Sequence, residues 1–437
     1  MRTFTILWSG QMASAIGTEM TQFALTIWIW QATQETTAIA LISFFFQLPQ
    51  ILIALFAGLI IDRFSRKYLM IFSDVVVALC TLLIGLLYST QTLQLWHLYS
   101  LAIAYGCCGQ IQTLAFTASI SSIVPKQHYA RVTSLKTLVN YSSAIIAPAL
   151  VGLLYPTVGL LGIIAIDIAT FAVGIFTVFL IHIPQTFDLE ATTLTSKTIW
   201  KQLTWGIRYI LARPSLQAMT IVFCLFLFTY HMSETLYQPL ILARTGGSAQ
   251  VLSTVVIAAG IGGVVGAVGL SIFGGFQRQV RGMLLGFVGT GVGSIVLGLG
   301  RVPSIWIGAQ FFAALNIPLV YSSSYAVWYA KVKPDIQGRV LAAAHTIGLI
   351  VGAVASLVAG PLADQLELTM TSGGWIASIF APLVGTGSGA GIALLYITIS
   401  LCMVLIGVGG FAFPTLRNAE DLLPDYDRDR EETKSHS

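Results

Sequence analysis

The stretch GLIIDRFSRK, residues 58–67, lies between two long apolar runs and holds four charged side chains within six positions. Charge is scarce elsewhere, because the 437-residue chain is 56% hydrophobic and only 9% charged, with a mean hydropathy of +0.83. Soluble domains carry roughly a quarter charged residues. This composition therefore excludes a soluble enzyme, a secreted disulfide scaffold and a nucleic-acid-binding protein, and it indicates a membrane protein.

Twelve apolar runs are long enough to cross a bilayer as helices, which takes about 20 residues each. We number them spans 1 to 12, and they lie near 5–31, 38–61, 68–89, 95–123, 133–155, 158–183, 214–241, 250–274, 281–300, 304–330, 340–363 and 389–413. The predicted fold is an all-α membrane protein with two pseudo-symmetric six-helix halves. The predicted domains are the N-terminal half 1–183, a central cytoplasmic loop 184–213, the C-terminal half 214–413 and a disordered cytoplasmic tail 414–437.

The basic residues predict the orientation of these spans. If the N-terminus is cytoplasmic, all but two of the 22 Lys and Arg residues, Arg244 and Arg301, lie on the cytoplasmic side. This bias is typical of multi-pass proteins of the cell membrane, and it places both termini in the cytoplasm. The first run is too long for a signal-peptide core, so we expect an uncleaved span. Within the central loop, Trp200 to Trp205 predicts a short amphipathic helix at the membrane interface.

The two halves repeat a local pattern. Pro125 follows span 4 and leads through a polar turn to Arg131-Val132, and Pro334 follows span 10 and leads to Arg339-Val340. Two six-helix halves with the substrate site between them are one known plan of secondary transporters.

Residues 58–67 resemble the loop signature of the major facilitator superfamily, G-x-x-x-D-R-x-G-R-[RK], with Ser65 in place of a glycine. The resemblance implies the twelve-span fold of that family. It also implies a loop that latches the two halves together and opens during alternating access. The alternative is a plain positively charged loop. The predicted conformational latch consists of Gly58, Asp62, Arg63, Arg66 and Lys67.

Other segments are similar to the macrolide-efflux and enterobactin-exporter branch of the family. They are Trp8–Gln11, Gly17–Thr21, Ala165–Asp167, Pro318, Tyr321 and the turn Pro334–Val340. The antiporter pattern of span 5 survives only as Pro148 and Gly152, which we expect to be hinge and packing residues. In span 4, Tyr105 stands where relatives carry a membrane-embedded Arg, which argues against Arg-based proton coupling.

Four acidic residues lie inside predicted spans, where a charge costs roughly 2.5–3.5 kcal/mol on insertion scales. Asp74 is expected to pair with Arg63 or Arg66 in a structural role. Asp167 is expected to be a satisfied packing or hinge residue, with proton coupling as the alternative.

Glu19 and Glu234 are the leading candidates for proton coupling. They lie at similar depth in the equivalent spans 1 and 7, and each follows a hydroxyl residue, Thr18 or Ser233. We expect the two carboxyls to face each other across a central cavity, with His231 sharing the proton of Glu234. The alternatives are that each carboxyl binds cationic or hydroxylated cargo, or completes a polar network.

Polar and aromatic residues on the spans that line the cavity in this family are candidates for contact with substrate. Aromatic rings with a few amides suit a large amphipathic solute. Trp28 and Trp30 are instead expected to be interface anchors. The candidates are Gln22, Gln47, Tyr105, Asn140, Tyr141, Tyr230, Tyr237, Gln310, Asn316 and Tyr325.

The leading functional prediction is secondary active export of amphipathic small molecules such as a drug, siderophore or peptide-like natural product, by proton-coupled antiport. The sequence contains no phosphate-binding loop for ATP, no nucleophile motif and no metal-ligand cluster, so we expect no enzyme activity, cofactor or metal. The alternatives are a lipid or lysolipid transporter and a non-transporting membrane scaffold or sensor. The expected partners are a small-molecule substrate, membrane lipids and protons, with no nucleic acid, and the protein is expected to be a monomer.

The segment 365–388 is long for an outer loop of this family. Its glycines predict a flexible flap with an amphipathic piece, which is either a gate or a tolerated insertion. We favour the insertion.

Overall fold

A computed structural model describes the chain over residues 2–55, 64–181 and 196–413. Within these ranges the regular structure is helical, without β-strands, and nine of the helical segments are long and apolar enough to cross a membrane. The helices are α1 (Arg2–Thr33), α2 (Thr36–Leu55), α3 (Arg66–Ser89), α4 (Leu95–Ile123), α5 (Tyr129–Leu180), α6 (Ser196–Leu211), α7 (Pro214–Thr245), α8 (Ala249–Phe273), α9 (Gln279–Leu299), α10 (Pro303–Leu315), α11 (Ile317–Lys331), α12 (Pro334–Thr371), α13 (Trp375–Val384) and α14 (Ala390–Ala412).

The helices fall into two compact units. Unit 1 holds the chain up to Ser196 together with the hairpin Ile241–Ile257, and unit 2 holds Lys197–Leu240 and the chain from Ala258 onward. Helices suit a membrane, where every backbone N–H and C=O must be paired within the protein, because each helix pairs its own backbone groups. The amphipathic helix predicted between the halves is present as α6, with Trp205 stacked on Tyr209.

Predicted spans 5 and 6 form one helical run, α5, which is broken at Gly159. This glycine has a φ of +64° and a ψ of −169°, outside the helical region. Near the start of α5, Val132 clusters with Phe4, and at its end Val178 clusters with Leu7. Both ends of α5 therefore lie beside the start of α1, so the chain reverses its direction at Gly159.

A row of small residues joins α1 to the part of α5 after Gly159. Gly10 lies against Thr177, Ser14 against Gly174, and Gly17 against Thr170. One sequence number rises as the other falls, so the two helices are antiparallel and in register. Small residues let helix backbones approach closely, which drives association where lipid replaces water. We name this row the α1–α5 seam.

Unit 2 is built around an aromatic core. The rings of Phe226 on α7 and Phe287 on α9 stack with centroids 3.9 Å apart, and Tyr230 and Phe223 pack beside them. Predicted span 10 is divided into α10 and α11 at Asn316, whose Nδ2 donates to the carbonyl of Phe312 at 2.7 Å.

The segment 365–388 differs from the predicted flexible flap, because most of it is helical. The helix α12 continues to Thr371, and α13 occupies Trp375–Val384. Glu367 accepts hydrogen bonds from the backbone N–H groups of Gly389 at 2.6 Å, Gly391 at 2.7 Å and Ile392 at 3.2 Å. This carboxylate therefore satisfies the first donors of α14, which no helical carbonyl can reach.

The contact between Gly391 and α12 predicts a sharp difference between two glycines of the same helix. A Cβ atom at Gly391 would collide with the backbone of Leu366 and Glu367, whereas a Cβ at Gly409 meets nothing within 4 Å. We expect Gly391→Ala to destabilise the protein by about 1–3 kcal/mol through overpacking. Gly409→Ala, the matched control, should leave the thermal unfolding midpoint of the purified protein unchanged. Equal midpoints for the two variants would contradict the close contact.

Candidate functional site

Unit 1 contains a polar cavity of about 310 Å³ between α1, α2, α3 and α4, with Phe171 of α5 at its edge. The described residues that line it include no Lys, Arg or His. Carboxyl groups in this cavity therefore have no basic side chain among the lining residues to neutralise them. Its polar lining includes two acids and five glutamines: Glu19, Asp74, Gln11, Gln22, Gln50, Gln110 and Gln112.

Glu19 points into the polar cavity. Its side chain is exposed although its neighbours Gly17 and Met20 are buried, because the cavity opens on this face of α1. No residue in the described ranges donates a hydrogen bond to its carboxyl group. A carboxyl without fixed donors in a cavity is free to bind a proton or a cationic ligand.

Asp74 is held by glutamine side chains, which differs from the expected pairing with a basic residue. Gln11 Nε2 lies 3.4 Å from Asp74 Oδ2, and Gln112 Nε2 donates to Gln11 Oε1 at 2.6 Å. Asp74 lies eight residues along α3 from Arg66, or about 12 Å at 1.5 Å per residue. Arg66 instead donates to the carbonyl of Ala118 at 2.8 Å. A glutamine relay thus stands in place of the expected pairing of Asp74 with Arg66, while Arg63, the other expected partner, lies outside the described residues.

Asp167 lies in the α1–α5 seam and is fully buried. Thr21 Oγ1 donates to its Oδ2 at 2.7 Å, whereas its Oδ1 has no hydrogen-bond partner in the described part of the chain. A Cβ atom at Gly17 would stand 2.7 Å from Oδ1, so α1 passes directly over this oxygen. Asp167 is thus packed between α1 and α5, with a hydrogen-bond donor from the described residues on one of its two carboxyl oxygens.

A second, apolar cavity of about 140 Å³ lies beside the polar one in unit 1. Leu25, Ile42 and Leu98 are among its walls. The two cavities share three lining residues, Gln22, Phe46 and Tyr105. Of the predicted substrate contacts, Gln22 and Tyr105 therefore stand where the polar and apolar spaces meet.

Tyr105 is fixed at this junction by a hydrogen bond between its hydroxyl group and that of Thr81 on α3. It is 7% exposed, so its position depends on packing as well as on this bond. A neutral phenol thus occupies the position where the resemblance suggests an Arg in relatives.

In unit 2, Glu234 lies on α7 with several phenol groups nearby. Four tyrosines lie close enough to interact electrostatically with its carboxyl group, and in the described residues none donates a hydrogen bond to it. The tyrosines come from three helices of the unit, α7, α11 and α14, and are Tyr230, Tyr237, Tyr321 and Tyr396.

His231 does not join Glu234 in the way that the sequence suggests. Its ring packs edge-on against Tyr230 with the centroids 5.7 Å apart, and its backbone carbonyl accepts from Thr235 at 2.9 Å. No hydrogen bond between the His231 ring and Glu234 is present in the described part of α7.

The other predicted substrate contacts occupy varied positions. Gln310 is buried, and Asn316 packs against Gly289 at the junction of α10 and α11. Tyr325 is 45% exposed and stacks on Tyr329. Gln47 lines neither cavity, and the side chains of Asn140 and Tyr141 lie outside what the structure describes.

The residues of the predicted latch are only partly described. Gly58, Asp62 and Arg63 lie outside the described residues. Lys67 Nζ donates to the carbonyls of Phe179 and Ile181 at 2.8 and 2.7 Å, at the C-terminal end of α5. A lysine at this end satisfies carbonyls that the helix leaves free. Within unit 1, Arg66 and Lys67 thus tie the start of α3 to α4 and α5.

The hinge candidates lie in the first part of α5. Pro148 is buried inside the helix, and Gly152 packs against Ser253 of the hairpin Ile241–Ile257, with 2.6 Å between the position of a Cβ and Ser253 Oγ.

Four glutamines of the polar cavity are absent from the residues that the sequence predicted. Gln11, Gln50, Gln110 and Gln112 line it, and Gln112 completes the relay to Asp74. The available signal was a glutamine inside an apolar span, since an amide group in lipid needs a partner. That signal identified Gln22 and Gln47, and it holds equally for the other glutamines of α1, α2 and α4.

Similarity to known proteins identifies the family of this chain. Its sequence matches the Major Facilitator Superfamily over residues 7–356. The chain belongs to this superfamily. It is similar to macrolide efflux protein A of Streptococcus pyogenes, with 22% identity over 83% of this chain and 90% of the relative. It is also similar to the multidrug efflux pump Tap of Mycolicibacterium fortuitum, with 21% identity over 85% of this chain and 86% of the relative.

Solved structures confirm the predicted fold of this superfamily member. The nucleoside transporter NupG superimposes with a TM-score of 0.68 at 10% identity, covering 94% of this chain and 99% of that one. A bacterial homologue of the human lysosomal transporter Spinster gives 0.64 at 14% identity, covering 97% and 95%. The superfamily member is thus a multi-pass membrane transporter for a small-molecule substrate and not an enzyme, as predicted.

The Thr21–Asp167 hydrogen bond predicts a specific loss of stability. Thr21→Val keeps the shape of the side chain but removes the hydroxyl that donates to Asp167 Oδ2 at 2.7 Å. We expect a loss of about 1–3 kcal/mol, because a buried acceptor is left without its donor. Thr21→Ser should restore most of the thermal unfolding midpoint. Thr26→Val removes only a bond to its own helix, to Gln22 O, and serves as the control.

Proposed function

We propose that this superfamily member exports amphipathic small molecules by alternating access, driven by proton antiport in the cell membrane. The substrate class includes drugs, siderophores and peptide-like natural products. The observation that carries the proposal is the state of Glu19 and Glu234. Both lie in membrane spans, and neither accepts a hydrogen bond from a described residue, whereas Asp74 and Asp167 have side-chain donors.

The two carboxyls without donors suit proton exchange. Fixed hydrogen bonds to a carboxyl group stabilise its ionised form, so they oppose its neutralisation by a proton. Glu19 opens to the polar cavity, where a proton or a cargo group can reach it. Proton binding at Glu19 and Glu234 is therefore proposed as the coupling step, with Asp167 as a structural carboxyl rather than a coupling one.

The pair of cavities in unit 1 supports an amphipathic cargo. The apolar space suits hydrocarbon, and the neighbouring polar space offers amides and carboxyls for a polar group. The efflux proteins that the chain is similar to are in keeping with this substrate class. We further propose that the protein works as a monomer with both termini in the cytoplasm.

Neutral glutamine replacements test the coupling role. In proteoliposomes with an imposed proton gradient and ethidium as the transported probe, Glu19→Gln and Glu234→Gln should each reduce export to the rate without a gradient. The control is Glu35→Gln, which changes an exposed acid between α1 and α2. Gradient-driven export by Glu19→Gln at the unmodified rate would remove Glu19 from the mechanism.

A whole-cell experiment tests the export function without purified protein. Cells that lack the gene should accumulate more ethidium than cells that express it, and a proton ionophore should abolish the difference. Export that persists after the gradient has collapsed would refute proton antiport but not transport. Equal accumulation with and without the gene, for every amphipathic dye tried, would refute multidrug export.

A further inference from the structure

The helix α13 is a short helix in the segment that joins the end of α12 to the start of α14. Two contacts hold it on unit 2. Arg301, after α9, donates to the carbonyls of Pro382 and Leu383 at 3.4 and 3.3 Å, and Glu367 binds the chain just beyond α13 through the N–H of Gly389. Its C-terminal end is thus fixed at the level of the loop between α9 and α10.

The two faces of α13 have opposite surroundings. Ala377 and Val384 are buried against unit 2, at 5% and 4% exposure. Trp375, Ile379 and Leu383 recur every four residues and are 72%, 58% and 45% exposed. The outward face therefore carries a continuous apolar stripe, which is the reverse of what a helix in water presents.

The helix α13 carries no charged side chain. The ten residues Trp375–Val384 include no Asp, Glu, Lys or Arg, and the hydrogen bonds of the Arg301 and Glu367 side chains to this segment are made at and just beyond its C-terminal end. One turn before the end of α12, Leu368 is 71% exposed. The end of α12 next to α13 thus also exposes a large apolar side chain.

From this arrangement we infer that α13 lies in the membrane interface at this end of unit 2, with Trp375, Ile379 and Leu383 immersed in the lipid boundary. Interfacial helices bury their apolar face about 5–10 Å into the boundary between headgroups and acyl chains. Tryptophan prefers this depth because its ring is apolar and its N–H is polar. Since the stripe carries no basic residue, the contact depends on apolar burial and does not need anionic lipid.

A lipid contact would explain why side chains hold the end of α13, through Arg301, and the start of α14, through Glu367. Arg301 and Glu367 fix the C-terminal end of α13 and the chain just beyond it, so this end of the helix stays on unit 2. The segment thus behaves as an interfacial anchor for the ends of α12 and α14, and not as a gate or a loose insertion.

Spin-label accessibility tests this placement. The full chain, with its five cysteines replaced by serine, is given a single nitroxide at Ile379→Cys or Leu383→Cys and reconstituted into phosphatidylethanolamine–phosphatidylglycerol vesicles. Both sites should collide freely with oxygen and weakly with the water-soluble reagent nickel-EDDA. The controls are Ser372→Cys, exposed in the preceding turn, which should favour nickel-EDDA, and Ala377→Cys, buried, which should be shielded from both.

Each other result overturns the inference. Strong collision with nickel-EDDA at Ile379 would place the stripe in water. Low collision with both reagents at Ile379 would place it against protein, such as a second copy of the chain. Omitting phosphatidylglycerol should leave the oxygen preference unchanged, and its loss would show that the contact is electrostatic.

Discussion

Close backbone contact between helices is the constraint on which unit 1 depends, because in lipid the hydrophobic effect cannot hold helices together. The α1–α5 seam supplies this contact through Gly10, Gly17 and Gly174. The seam also determines which side of α1 faces the polar cavity. At 100° per residue, Glu19 lies about 200° from both Gly17 and Thr21, so it must point away from the seam and into the polar cavity.

Two acidic residues of unit 2 differ in the number of hydrogen bonds that their carboxyl groups accept. Glu367 accepts three backbone N–H bonds and acts as a helix cap, whereas Glu234 accepts none from the described residues. A carboxylate with three donors is held in one position. One without donors can change its charge when a proton or ligand arrives. This contrast, between two residues of the same type in unit 2, separates a structural acid from a candidate for coupling.

Hydropathy and charge were enough to predict the fold, because a bilayer demands about 20 apolar residues for each span and repels charge from its centre. They were not enough to predict contacts between helices. The pairing of Asp74 depends on how α1 and α4 turn towards α3, which places Gln11 nearer than Arg66. Likewise, the glycines of 365–388 predicted flexibility, because the cap that Glu367 provides for α14 is visible only in three dimensions.

Tyr105 connects the fold to the proposed mechanism. A fixed arginine at this position would neutralise the carboxyls of the polar cavity permanently, whereas a phenol held by Thr81 cannot. No basic side chain lies among the described lining residues to take its place. Because uncompensated charge is costly in a membrane protein, a charge on Glu19 needs a counter-charge that the described lining residues do not supply. In the proposed mechanism this is the proton when cargo is absent, and the exchange between them couples export to the gradient.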